Sequence, residues 1–132
     1  MNKYNDISKH KEFFKECQNH KTLLKKLLLT LKKQNKKILG YGASTKGNVL
    51  LQYCNINSNL LNYVAEVNKF KFNKYTPGSN IKIISEKQAK AKKPDYLLVL
   101  PWHFKDHIIK REKKFLKDGG KLIFPLPDIE IV

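Results

Sequence analysis

The sequence predicts a doubly wound, mostly parallel five-stranded α/β sheet with an N-terminal helical arm. Three observations lead there. Short apolar segments alternate with helical patterns from residue 36 onward. The first such segment closes in Gly40-Tyr41-Gly42 just before a helical stretch. Tyr96-Leu97-Leu98-Val99-Leu100 is a near-continuous apolar run, as expected of a strand covered on both faces.

The elements follow in order. Residues 1–35 form the arm. Within it, 6–34 reads as helix, because Phe14, Cys17, Leu23, Leu24, Leu27, Leu28 and Leu31 recur near a three/four spacing with lysines between them. Asn19-His20 is a possible break in that helix. The remaining residues, 36–132, form the sheet domain. Lys36–Gly42 is the first strand, and Thr45–Cys54 is a helix with Val49, Leu50 and Tyr53 on one face. Leu60–Ala65 is the second strand, ending at Glu66. A polar loop over 67–80 holds Tyr75-Thr76-Pro77-Gly78, where Pro-Gly fits a type II turn. Ile81–Ile84 is the third strand, and Ser85 caps a short helix that runs to Lys92. The apolar run is the fourth strand. Trp102–Lys117 is helical, Asp118-Gly119-Gly120 stops it, and Lys121–Phe124 is the fifth strand. Right-handed crossovers give the order 3-2-1-4-5.

Composition narrows the class without fixing the function. The 132 residues suffice for one domain, and 41% hydrophobic residues argue against disorder. No apolar run approaches the roughly 20 residues of a membrane span. No secretory signal is visible at the start, so a cytoplasmic location is expected, with Cys17 and Cys54 as reduced thiols. The formal net charge is +16, yet Arg111 is the sole arginine among 27 cations. The lysines are scattered rather than clustered, which disfavours a nucleic-acid partner. No zinc spacing and no catalytic triad is evident. His103 and His107 lack a third ligand, and Asp95, Asp106 and Glu112 have ordinary surface or capping explanations.

In a sheet of this order, ligands bind beyond the carboxyl ends of the strands. Gly40–Asn48, Glu66–Gly78 and Pro101–Phe104 converge there. The spacing Gly40-Tyr41-Gly42-Ala43-Ser44-Thr45-Lys46-Gly47-Asn48 matches neither the dinucleotide fingerprint nor the phosphate loop. It still offers a sharp turn and a helix N-terminus to an anion. Glu66 stands where a dinucleotide fold puts its ribose-binding acid, or else it is a capping carboxylate.

The segment from Gly40 to Cys54 resembles the GYGAxxKGNxLLxYC stretch in the C-terminal domain of S-adenosylmethionine-dependent C-methyltransferases acting on nucleotide-linked deoxysugars. Three further stretches match in order: Asn68–Gly78, Pro94-Asp95-Tyr96 with Leu100–Phe104, and Gly119-Gly120-Lys121 with Pro125-Leu126-Pro127. Asn73 stands where that family usually has glycine, and Lys82 where it usually has proline.

The resemblance implies a Rossmann-like domain that helps hold a TDP-sugar-like ligand. The methyl donor and the acid/base residues would belong to another part of the enzyme, which this sequence does not contain. The chain would then be a stand-alone remnant or one subunit of a split enzyme. It would bind no cofactor of its own, with S-adenosylmethionine implied only for the complete enzyme. The ligand-binding candidates are Gly40, Tyr41, Gly42, Ala43, Ser44, Lys46, Gly47, Asn48, Glu66, Asn68, Tyr75, Pro101, Trp102 and His103. The expected partners are a nucleotide-sugar, a methyl-donor-binding subunit, and a second copy docked through the N-terminal helix. The competing readings are a basic nucleic-acid-binding module and a dinucleotide-binding, oxidoreductase-like domain.

Overall fold

The computed structural model describes residues 3–132, with side chains described from Lys11 onward except Phe14. Phe14, counted above in the helical stripe, therefore lies outside the described side chains. The chain opens with α1 (Lys3–Lys33), followed by β1 (Ile38–Tyr41), α2 (Thr45–Tyr53) and β2 (Tyr63–Glu66). A 3₁₀ turn (Lys69–Lys71) leads to β3 (Lys82–Ser85), α3 (Glu86–Ala91) and β4 (Tyr96–Val99). A second 3₁₀ turn (Trp102–Phe104) precedes α4 (Lys105–Arg111), α5 (Lys113–Lys117), β5 (Lys121–Phe124) and β6 (Glu130–Ile131).

The strands form one six-stranded sheet in the order β3-β2-β1-β4-β5-β6. All pairings are parallel except β5 with β6, which is antiparallel. The expected five-strand count is thus corrected to six. The added strand has only two residues, both exposed, so it carries no alternating burial for a sequence pattern to show.

Alternation along the strands sorts side chains onto two faces. Ile38, Val64, Ile83, Leu98 and Ile123 pack with Leu24, Leu28 and Leu31 of α1 and with Leu50 and Leu51 of α2. Leu39, Tyr41, Ala65, Val99 and Phe124 pack on the other face with Ala89 of α3 and Ile108 of α4. Full burial of a leucine such as Leu28 contributes about 1.5–3 kcal/mol.

α1 is a single helix of 31 residues, unbroken at Asn19-His20. Neither residue is a proline or glycine, and the His20 ring hydrogen-bonds the Pro125 carbonyl, tying that turn to the domain. Only the C-terminal part of its stripe is in the core, and Leu23 is 59% exposed. The long helix expected over Trp102–Lys117 instead starts as a 3₁₀ turn and divides at Glu112.

Local chemistry fixes the crossovers. Ser85 and Gln88 form a reciprocal capping box that starts α3. The Pro77-Gly78 turn places Gly78 at φ +73°, and Thr76 Oγ1 accepts the Ile81 N–H at 2.9 Å inside it. Asn73, where the resembled family favours glycine, has φ 64°, a conformation asparagine tolerates. Lys82 lies in β3 at the edge of the sheet, the kind of position that accepts proline.

Candidate functional site

The turn between β1 and α2 is built around two glycines with different duties. Gly42 has φ +81°, and a Cβ there would lie 2.9 Å from Pro101 Cδ. Gly47 lets α2 approach the sheet, since a Cβ there would stand 2.4 Å from Leu100 Cβ. Ser44 caps α2 by accepting the Gly47 N–H at 3.1 Å.

Most backbone donors of this turn are already engaged. Gly42 N–H donates to Ala65 O at 2.8 Å and Ser44 N–H to Gly42 O at 3.0 Å. Ala43 N–H donates to Glu66 Oε1 at 3.0 Å. The donors that a helix leaves without an intrahelical acceptor are those of its first turn, here Thr45 and Lys46.

Glu66 is buried, and its other oxygen accepts the Val67 and Asn68 N–H groups at 2.7 and 2.8 Å. Of the two readings its position allowed, the geometry is that of the capping carboxylate. Lys71 stands beside it, with Nζ 3.9 Å from Oε1 and donating to Ala43 O at 2.8 Å.

A cavity of about 300 Å³ opens beyond the carboxyl ends of β1, β2 and β4. One wall is the Gly42–Ser44 turn with Glu66 and Lys71, and the opposite wall is formed by Glu86, Phe104, His107 and Arg111. Beneath that second wall runs a chain of polar contacts. Arg111 Nη2 donates to Glu86 Oε2 at 2.7 Å, and Nη1 donates to the Tyr41 hydroxyl at 3.3 Å. Tyr41 in turn donates to Glu112 Oε2 at 3.0 Å, and Glu112 pairs with the Lys90 ammonium. Burial first, and then the Glu112 carboxylate, push the Tyr41 hydroxyl well above the ordinary tyrosine range, so it remains a neutral donor. Burial likewise raises the Cys54 thiol.

Among the sequence candidates, Tyr41, Gly42, Ala43, Ser44, Glu66 and Pro101 line this cavity. Gly40 is packed against Val64 inside the sheet, and Gly47 against Leu100. Lys46 is exposed on α2, outside the cavity wall. Asn48 has an enclosed Oδ1 with no hydrogen-bond partner among the described residues. Asn68 caps the first 3₁₀ turn, and Tyr75 is 56% exposed beside Lys82. Trp102 packs half-buried against both cores, and the His103 ring meets Trp102 in a T-shaped contact and Phe104 at a tilt.

Sequence reasoning missed Glu86, His107 and Arg111 as cavity residues, and it included Lys71 and Phe104 only within the converging segments, not among the ligand candidates. A usable signal existed for Arg111 as the single arginine, and for His107 as the residue one helical turn after His103. Glu112, read as a surface or capping residue, is 6% exposed and is the hub of the polar chain. Among the described residues, no three His, Cys, Asp or Glu side chains gather as a metal-ligand cluster. None of the described helices is long and apolar enough to cross a membrane.

The comparisons agree with the motif resemblance. The C-methyltransferase C-terminal domain family matches residues 1–127. The C-methyltransferase NovU of Streptomyces niveus is 33% identical over 123 residues, which cover 93% of this chain. The aligned region is 29% of the length of NovU. On the matched span and this identity, the chain belongs to the C-methyltransferase C-terminal domain family.

Proposed function

We propose that this Rossmann-like domain holds a nucleotide-linked sugar for an S-adenosylmethionine-dependent C-methyltransferase in the cytoplasm. The methyl-donor site and the acid/base residues lie outside these 132 residues, in another segment or subunit. The observation that carries the reading is a carboxyl-end cavity bounded by Ser44, the N-cap of α2, in a chain of this family.

The chain's own chemistry is binding. The Thr45 and Lys46 N–H groups, the positive end of α2 and the Lys46 ammonium receive the diphosphate. Tyr41 underlies the cavity, while Trp102 and His103 border the sugar at its rim. Glu66 supports both loops of one wall, and its oxygens already accept three backbone N–H groups. That arrangement weakens the dinucleotide reading, which needs those oxygens for a ribose.

Calorimetric titration with TDP and with NADH tests the assignment. Lys46→Ala removes one charge-assisted contact of about 1.5–3 kcal/mol, so TDP binding weakens roughly ten- to hundredfold. Gly42→Val abolishes TDP binding, because the turn depends on a positive φ and on close contact with Pro101. Tight NADH binding that depends on Glu66 but not on Lys46 would reverse the assignment. The purified chain with labelled S-adenosylmethionine and a TDP-sugar is expected to transfer no methyl group.

α1 supports a second part of the proposal. Phe13 and Leu23, 67% and 59% exposed, stand ten residues apart on it, and we assign them to contacts with a partner subunit or a second copy. A clean monomer in sedimentation, unchanged by Leu23→Lys, would count against the second copy.

A further inference from the structure

Arg111 is the one arginine among 27 cations, and it sits in the cavity wall. A lysine ammonium is a mobile point charge, whereas a guanidinium is a planar fork with five N–H donors. Here the fork is fixed from two sides, by Glu86 at 2.7 Å and by the Tyr41 hydroxyl at 3.3 Å. Tyr41 is fixed in turn by the buried Glu112. The guanidinium thus keeps free donors in a set orientation.

Charge balance decides what this wall receives. Both strong cations of the cavity have a carboxylate neighbour: Lys71 has Glu66 at 3.9 Å, and Arg111 has Glu86 at 2.7 Å. Matched pairs are a poor receptor for a multiply charged diphosphate, which the exposed Lys46 and the first turn of α2 suit better. A matched pair does present a hydrogen-bond donor beside an acceptor. Phe104, 57% exposed, adds an apolar face to the same cavity. The complement is a neutral flat ring whose edge offers a carbonyl next to an N–H.

We propose that Glu86 and Arg111 read the imide edge of a pyrimidine base and so set the nucleotide specificity of the site. This rests on the nucleotide-sugar reading above. Arg111 donates to a ring carbonyl, Glu86 accepts from the adjacent ring N–H, and Phe104 supplies the stacking face. A cytosine presents an unprotonated ring nitrogen to Glu86 at the same place, leaving two acceptors opposed. Tyr41 and Glu112 are positioning residues that act through the guanidinium.

Titration with UDP, CDP and pyrophosphate tests this, because UDP and CDP differ only at the base edge. The wild-type chain is expected to bind UDP roughly tenfold more tightly than CDP, about one well-made hydrogen bond. Arg111→Lys and Tyr41→Phe are expected to bring that ratio near one while pyrophosphate affinity stays unchanged, a pattern that a general loss of folding does not produce. Equal UDP and CDP affinity in the wild type overturns the inference. So does an equal loss of pyrophosphate and UDP binding in Arg111→Lys, which would make Arg111 a phosphate contact. If Lys46→Ala leaves pyrophosphate binding intact but the base preference still depends on Arg111, the diphosphate placement fails and this inference stands. Binding of none of the three probes overturns both.

Discussion

The two faces of the sheet are filled by different chemistry. Toward α1 and α2 the filling is apolar, with Leu24, Leu28 and Leu51 fully buried and Gly47 drawing α2 close to Leu100. Toward α3–α5 a polar chain from Lys90 through Glu112, Tyr41 and Arg111 to Glu86 threads between apolar side chains and surfaces in the cavity wall. Apolar packing is non-directional and fixes where the helices lie. Directional contacts fix where one guanidinium points, which is what recognition requires.

The contrast breaks most visibly under core truncation. Leu28→Ala leaves a cavity on the apolar face and should cost about 2–5 kcal/mol, read from urea denaturation. Glu112→Ala on the other face leaves the Tyr41 hydroxyl without its acceptor and should cost about 1–3 kcal/mol. Its cost should also fall when Tyr41→Phe is already present, since the two side chains act as a unit. Additive costs in that double-mutant cycle would show that the chain is not coupled.

The pH dependence gives a smaller effect specific to the polar face. The folded state holds the Tyr41 proton more tightly than the unfolded state, where a tyrosine ionises near pH 10. The stabilisation is therefore complete below about pH 10 and is lost as pH rises beyond it. Denaturation midpoints at alkaline pH should fall more steeply for the wild type than for Tyr41→Phe. The smallest effect is expected off both faces. Leu23→Ala on the exposed side of α1 should change stability by less than about 0.5 kcal/mol, checked by the same denaturation curves.

The same division governs how much was legible in the sequence. The first five strands and the leucines of α1 follow from periodicity, because apolar packing writes itself as spacing, and the order of those strands follows from right-handed crossovers. The glycines were legible as a sharp turn, but not the reason for each. Gly42 answers to Pro101 and Gly47 to Leu100, contacts made across more than 50 residues of chain. The polar chain was hidden for the same reason. Nothing local distinguishes Glu112 from its charged neighbours in Arg111-Glu112-Lys113-Lys114, and only the fold places it against Tyr41. Six of the candidate residues came together in the cavity because they sit at strand ends, which the strand order locates. The opposite wall comes from α3, α4 and the second 3₁₀ turn, whose lateral placement no spacing records.

Glu66 ties together the two stretches of chain that follow β1 and β2. Its carboxylate is bonded to Ala43 on one side and to Val67 and Asn68 on the other, so the two lips of the cavity move as one splinted unit. That sets where an insertion is least tolerated. The stretch after Asn68 is held as well, since Lys71 donates to Ala43 O at 2.8 Å and the Asn73 and Thr76 N–H groups donate to Ile83 O and Ile81 O. One residue added between Glu66 and Asn68 would unseat both lips at once.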